Sequence, residues 1–108
     1  MDTEQFYIAL QRINEPKGYF FNRDREQTMS LLAGLLVNNG RYGYMLCPCR
    51  LGQEDREADR DIVCPCEYRE DDVREFGSCY CGLYVSREWN QGTIPHVYVP
   101  ERRPPGKW

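Results

Sequence analysis

Cys47-Pro48-Cys49, Cys64-Pro65-Cys66 and Cys79-Tyr80-Cys81 are three Cys-x-Cys pairs within one 35-residue stretch, and they contain every cysteine of the chain. Thiolates are soft ligands, and four of them suit either tetrahedral zinc or an iron–sulfur cluster. Four for a metal centre leaves two for a redox-active disulfide, so electron transfer to a disulfide is the leading reading. Zinc knuckles use two intervening residues to turn both sulfurs onto one ion, and a single intervening residue fits that geometry poorly. A Cys-x-Cys pair can instead place one sulfur on a cluster while presenting its partner to another thiol. Proline between them restricts φ and removes an amide donor, which stiffens the pair.

The rest of the chain explains why such a centre is needed. In 108 residues there is room for one domain. Leu, Ile, Val and Phe make up only about a fifth of it, near the lower edge for folding on apolar burial alone. A thin core of this kind calls for a metal or disulfide staple. The cysteines are clustered, unlike the spread pattern of secreted disulfide scaffolds. The first residues, MDTEQFYIALQ, lack the basic start and apolar run of a signal peptide, so a reducing cytoplasm is the expected location. The longest apolar stretch, Leu31 to Val37, is too short to span a bilayer, and a net charge of -3 gives no nucleic-acid footprint.

Outward from the cysteines, the pattern is helical on the N-terminal side. Asp2-x-x-Gln5 forms a capping-box signature ahead of Phe6, Leu10 and Ile13, with Pro16 and Gly18 as the stop. Asp24-x-x-Gln27 repeats it ahead of Thr28, Leu31, Leu32, Leu35 and Leu36, with Asn39-Gly40 as the stop. These two helices are expected to supply most of the core. The charged stretches Gln53 to Asp61 and Glu67 to Glu75 read as exposed faces, each able to form a short helix, the second ending at Gly77. Leu83 to Val85 reads as strand-like or irregular. The proline-rich tail after Ile94 reads as irregular chain that wraps the domain or frays.

The CPC–CPC–CYC array, with Gly82-Leu83-Tyr84 and the later Val99-Pro100-Glu101-Arg102-Arg103-Pro104, resembles the catalytic (beta) chain of ferredoxin:thioredoxin reductase over about residues 40–105. The resemblance implies a mainly α, small compact single domain of short helices and loops wrapped around a 4Fe–4S cluster. It implies cluster ligands Cys47, Cys64, Cys66 and Cys79, and an active-site disulfide between Cys49 and Cys81. Of these two, the cysteine at the Cys49 position attacks the target and that at Cys81 lies against the cluster. The implied activity is reduction of thioredoxin or a thioredoxin-like protein, with electrons from ferredoxin or a similar low-potential donor. The runner-up is a non-catalytic zinc-binding interaction module using four of the six cysteines.

Two departures from the plant and cyanobacterial pattern stand out. The intervals between pairs, 14 and 12 residues, differ from it, and Tyr80 occupies a histidine position. Both point to a more distant bacterial or archaeal relative, working without the family's variable subunit or with a different partner; a variable subunit and a homo-oligomer both stay open. Tyrosine titrates far above neutrality, so Tyr80 is expected to pack or hydrogen-bond. His96 is the only histidine and the alternative proton carrier if the tail folds back. Arg50 either favours the Cys49 thiolate by charge or faces solvent for docking. Arg102 and Arg103 are candidates for a surface that receives an acidic donor, one face of a flat, disc-like molecule.

Overall fold

The first helix, α1 (Thr3–Asn14), starts where its cap demands. The Asp2 carboxylate accepts from the Gln5 amide and the Gln5 side chain accepts from the Asp2 amide, at 2.8 and 3.2 Å. A 3-10 turn, Glu15–Lys17, carries the chain off the helix to Gly18. The computed structural model describes residues 2–107. Strand β1 (Phe20–Phe21) follows, then α2 (Arg25–Tyr42), capped by Asp24, which accepts from the Gln27 amide.

Helix α2 runs past its expected stop. Gly40 stays within the helix, and the chain leaves at Gly43 with φ +82°, a backbone conformation open to glycine and costly for other residues. The reversal there brings Tyr44 and Leu46 into a second small core. Next come a 3-10 turn (Arg60–Ile62), α3 (Arg69–Phe76) ending at Gly77, β2 (Tyr84–Val85), the short α4 (Arg87–Gln91) and a 3-10 turn at Pro105–Lys107. Helices take up about half of the chain and the only sheet among the described residues is the antiparallel pair β1–β2. The mainly helical expectation thus holds with a two-stranded sheet added. The molecule is flattened, 39 × 34 × 22 Å.

The core corrects the expectation that the two long helices supply most of it. They contribute Phe6, Leu32 and Leu35, but Phe21, Val73, Cys79, Leu83 and Tyr84 complete the same cluster. Ile13, on the expected apolar stripe of α1, is 55% exposed. Stacking of Phe21 on Tyr84, with ring centroids 5.5 Å apart, ties β1 to β2 at the centre.

The charged stretch 53–61 also differs from expectation. It forms turns and one 3-10 turn, with Asp59 and Asp61 buried. Each buried carboxylate replaces water with protein donors. Asp59 accepts from the Tyr44 hydroxyl at 2.5 Å and from the Gln53 amide at 2.9 Å. Asp61 accepts from the Tyr68 hydroxyl at 2.6 Å and from Arg103 Nε at 2.9 Å. The tail therefore wraps the domain and is pinned by its own arginine. Among the described residues no helix is long and apolar enough to cross a membrane.

Candidate functional site

Two backbone pairings bring the three cysteine segments together. An isolated antiparallel bridge, Leu46 with Val63, sets the first two side by side. In it the Cys47 amide donates to Ile62 and the Cys64 amide donates to Met45, at 3.0 and 2.8 Å. The bridge between Ser78 and Val85 folds the third segment back on β2, and the Cys79 amide donates to Tyr84 at 2.9 Å. Gly82, at φ +76°, closes that turn by donating to the Cys79 carbonyl at 2.9 Å. A side chain there would meet Gln27 Nε2 at 3.0 Å as well as the backbone penalty. The Cys64–Pro65 peptide is cis. Helix α2 backs the first segment through Gly34, where an added Cβ would lie 3.3 Å from Pro48.

These pairings enclose a small apolar cavity lined by Cys47, Cys64, Cys66, Cys79 and Cys81, with Arg50, Arg69 and Tyr84 among the other walls. All six cysteines are free thiols. Cys47 and Cys79 are buried, Cys64, Cys66 and Cys81 half-buried, and Cys49 is exposed. The sulfur of Cys81 is the hub. It lies 2.9 Å from Cys47 Sγ and also engages the sulfurs of Cys49 and Cys79.

Electrostatics follow from that hub. The neighbouring sulfurs of Cys47, Cys49 and Cys79, which compete for the single Cys81 proton, raise its pKa strongly. A hydrogen bond from Cys81 brings Cys47 down to about 7 and Cys79 to about 6, against the cost of burial. Cys49 is lowered chiefly by Cys81 as well, with a smaller pull from Arg50. Burial, followed by neighbouring thiolates, raises Cys64. Burial also raises Cys66, although the Arg50 charge opposes it. Backbone supplies one more donor: the Tyr84 amide lies 3.3 Å from Cys79 Sγ.

Arg50 is neither solvent-facing nor aimed mainly at Cys49. Its side chain is 3% exposed and forks onto Glu101 through Nε and Nη2, both at 2.7 Å. Its Nη1 lies 3.5 Å from Cys47 Sγ and 3.6 Å from Cys66 Sγ. The guanidinium covers the Tyr80 ring, 4.5 Å from its centroid. Tyr80 is half-buried and burial raises its hydroxyl above its ordinary value, so its contribution is packing.

His96 lies elsewhere. It stacks on Trp89 at 3.6 Å, its Nε2 is 2.8 Å from the Trp89 carbonyl, and it is exposed. No contact joins it to the cysteines. The proposed donor face is also corrected. Arg103 is buried against Asp61, and Arg102 bonds Asp72 at 2.8 Å and Glu75 at 2.5 Å. The tail arginines staple the fold.

Sequence reasoning missed Glu101 as a site residue, although the Glu101-Arg102-Arg103 run had been noted. A lone acid in a proline-rich tail carries no pattern, and only the fold shows that it meets Arg50. Arg69 was missed too. It lines the cavity, donates to Asn14 at 2.7 Å and lies over the Tyr19 ring at 3.8 Å.

Among the described residues no three His, Cys, Asp or Glu side chains form a ready-made site for a single metal ion. The donor set nevertheless fits an iron–sulfur cluster: cysteine sulfurs converge on an enclosed apolar space, and Arg50 and the Tyr84 amide supply hydrogen bonds to sulfur.

Five cysteines lining one apolar cavity, with an exposed sixth beside them, define a cysteine-cluster domain. Residues 2–97 match the family model for the ferredoxin thioredoxin reductase catalytic beta chain, and this chain belongs to that family. It is similar to the ferredoxin-thioredoxin reductase catalytic chain of Porphyra purpurea, 35% identical over 72 residues covering 64% of this chain and 57% of that one. The catalytic chain of Pyropia yezoensis is also 35% identical over 72 residues, covering 64% and 58%. That of Guillardia theta is 34% identical over 88 residues, covering 76% and 82%. The chain thus spans less than three fifths of the Porphyra and Pyropia relatives.

Proposed function

We propose that this chain is the catalytic component of an iron–sulfur disulfide reductase. It accepts electrons singly from ferredoxin or a similar low-potential donor and reduces the disulfide of thioredoxin or a thioredoxin-like protein. Cys47, Cys64, Cys66 and Cys79 would hold a 4Fe–4S cluster, with Cys49 and Cys81 as the working disulfide. The observation that carries this reading is one of exposure: Cys49 alone among the six cysteines is exposed, and its thiol partner Cys81 lines the cavity. When bound, the cluster would supply one-electron transfer beside a disulfide that must accept two electrons.

The protein's own residues carry the bond chemistry. Cys49 is the nucleophile, and its lowered pKa favours the thiolate that attack requires. It attacks one sulfur of the target disulfide, forming a Cys49–target bond while the target's other sulfur leaves and takes a proton. Cys81 then attacks the Cys49 sulfur, restores the Cys49–Cys81 bond and releases the second target thiol. The target gains two electrons and two protons. The donor later returns both electrons to the Cys49–Cys81 disulfide, and protons come from solvent.

Docking of a folded protein target is supported by the ground around Cys49. Two shallow grooves meet there, one including Leu51 and the other Val97 and Tyr98. Leu51 is 93% and Tyr98 81% exposed, apolar surface suited to burial against a partner. Cys81→Ser tests the assignment directly. It should accumulate a covalent adduct between Cys49 and the target, seen by non-reducing electrophoresis, while Cys49→Ser should form none and lose turnover. Retained turnover in either variant would overturn the reading.

A further inference from the structure

The Arg50–Glu101 pair has a feature that stapling the tail does not require. Two guanidinium nitrogens already complete the fork onto Glu101. The third, Nη1, is directed at the sulfurs of Cys47 and Cys66, which come from two different cysteine segments. Glu101 is itself fixed, since Oε1 accepts from the Arg103 amide at 2.9 Å. Glu101 lies beyond residues 2–97, the stretch that the family model matches.

We infer that Arg50 tunes the reduction potential of the centre held by Cys47 and Cys66, and that Glu101 is the positioning residue that aims and partly offsets its charge. The inference rests on the proposed function in so far as those two cysteines hold a cluster. Hydrogen bonds to the sulfurs and a nearby positive charge favour the more negative, reduced state, so Arg50 raises the potential. The Glu101 carboxylate acts in the opposite sense. Arg69, on another wall of the cavity, is spent on Asn14 and the Tyr19 ring, so it is a comparison cation without that aim.

The test is a spectroelectrochemical titration of anaerobically reconstituted protein, with Cys49 alkylated so that the disulfide cannot reform. Arg50→Gln should lower the midpoint enough to change the ratio of reduced to oxidised centre at least tenfold at a fixed potential, about 59 mV for one electron. Arg50→Lys keeps the charge but not the fork and should lower it less. Glu101→Gln should raise it. Arg69→Gln should shift it less than Arg50→Gln. If Arg50→Gln loads no iron, the Arg50→Lys and Glu101→Gln pair still decides, because the two must move in opposite directions. A loaded wild type whose Arg50 and Glu101 variants share its midpoint, or shift in the same direction, would overturn the inference and leave the reductase reading standing. An iron-free wild type would remove the reductase reading itself.

Discussion

The segment through α2 and the segment after Gly43 are built by different physics. In the first, two capped helices of 12 and 18 residues satisfy their own backbone and bury Phe6, Leu32 and Leu35. In the second, Arg69–Phe76 and Arg87–Gln91 are the only α-helices among the described residues, and much of the order comes from single long-range contacts. Bridges at Leu46–Val63 and Ser78–Val85, and ion pairs from Arg50, Arg102 and Arg103, hold loops around a cavity. The contrast teaches that the first segment is a platform and the second a socket. A metal centre binding the folded socket would add its binding energy to the stability of that part.

The contrast can be broken most sharply at Asp61. Asp61→Asn removes the charge that faces buried Arg103 and should cost about 3–5 kcal/mol in denaturant unfolding, the usual penalty for breaking a buried ion pair. Less than about 1 kcal/mol would mean that the tail clamp is not structural. Leu32→Ala on the platform should cost about 2–5 kcal/mol through cavity formation. Its loss should appear in hydrogen exchange of α1 and α2. At the small end, Asp2→Ala removes a cap and should cost about 1 kcal/mol, with fraying confined to the first turn of α1.

Acid should separate the segments without mutation. Burial alone would raise Asp61 and Glu101, but Arg103 with Tyr68, and Arg50, hold these carboxyls below their ordinary values. A carboxyl depressed in the folded state contributes stability above its unfolded pKa and loses it as pH falls through the folded one. The tail clamps should therefore weaken below about pH 4, the ordinary carboxyl range. Asp72 works in the opposite sense, since burial raises it despite its bond to Arg102. Amide exchange across residues 97–104, followed from pH 6 to pH 3, checks the net result. Protection that rises on acidification would contradict it.

Legibility in the sequence followed the same division. Local rules found the Asp2 and Asp24 caps, the end of α3 at Gly77 and the clustering of the cysteines. They failed where two glycines competed, because Asn39-Gly40 carries the stronger stop signature while the chain reverses at Gly43. They also failed where charge is buried. Asp59, Asp61 and Arg103 read as solvated until the fold supplies partners far along the chain. Residues 20–21 pair with β2 across more than sixty residues, and so short a strand has no period to detect. Around the cysteines, composition showed that six thiols exist, but bringing Cys47, Cys49 and Cys79 onto Cys81 needs two bridges that no local pattern encodes.

The most direct measurement is iron and acid-labile sulfide in anaerobically purified wild type, Cys49→Ser and Cys64→Ser protein. An account in which one pair of thiols works beside a cluster held by the other four predicts about four irons and four sulfides in wild type and in Cys49→Ser, and loss of the cluster in Cys64→Ser. Colourless protein that folds fully with zinc, or equal iron loss in both variants, would contradict it.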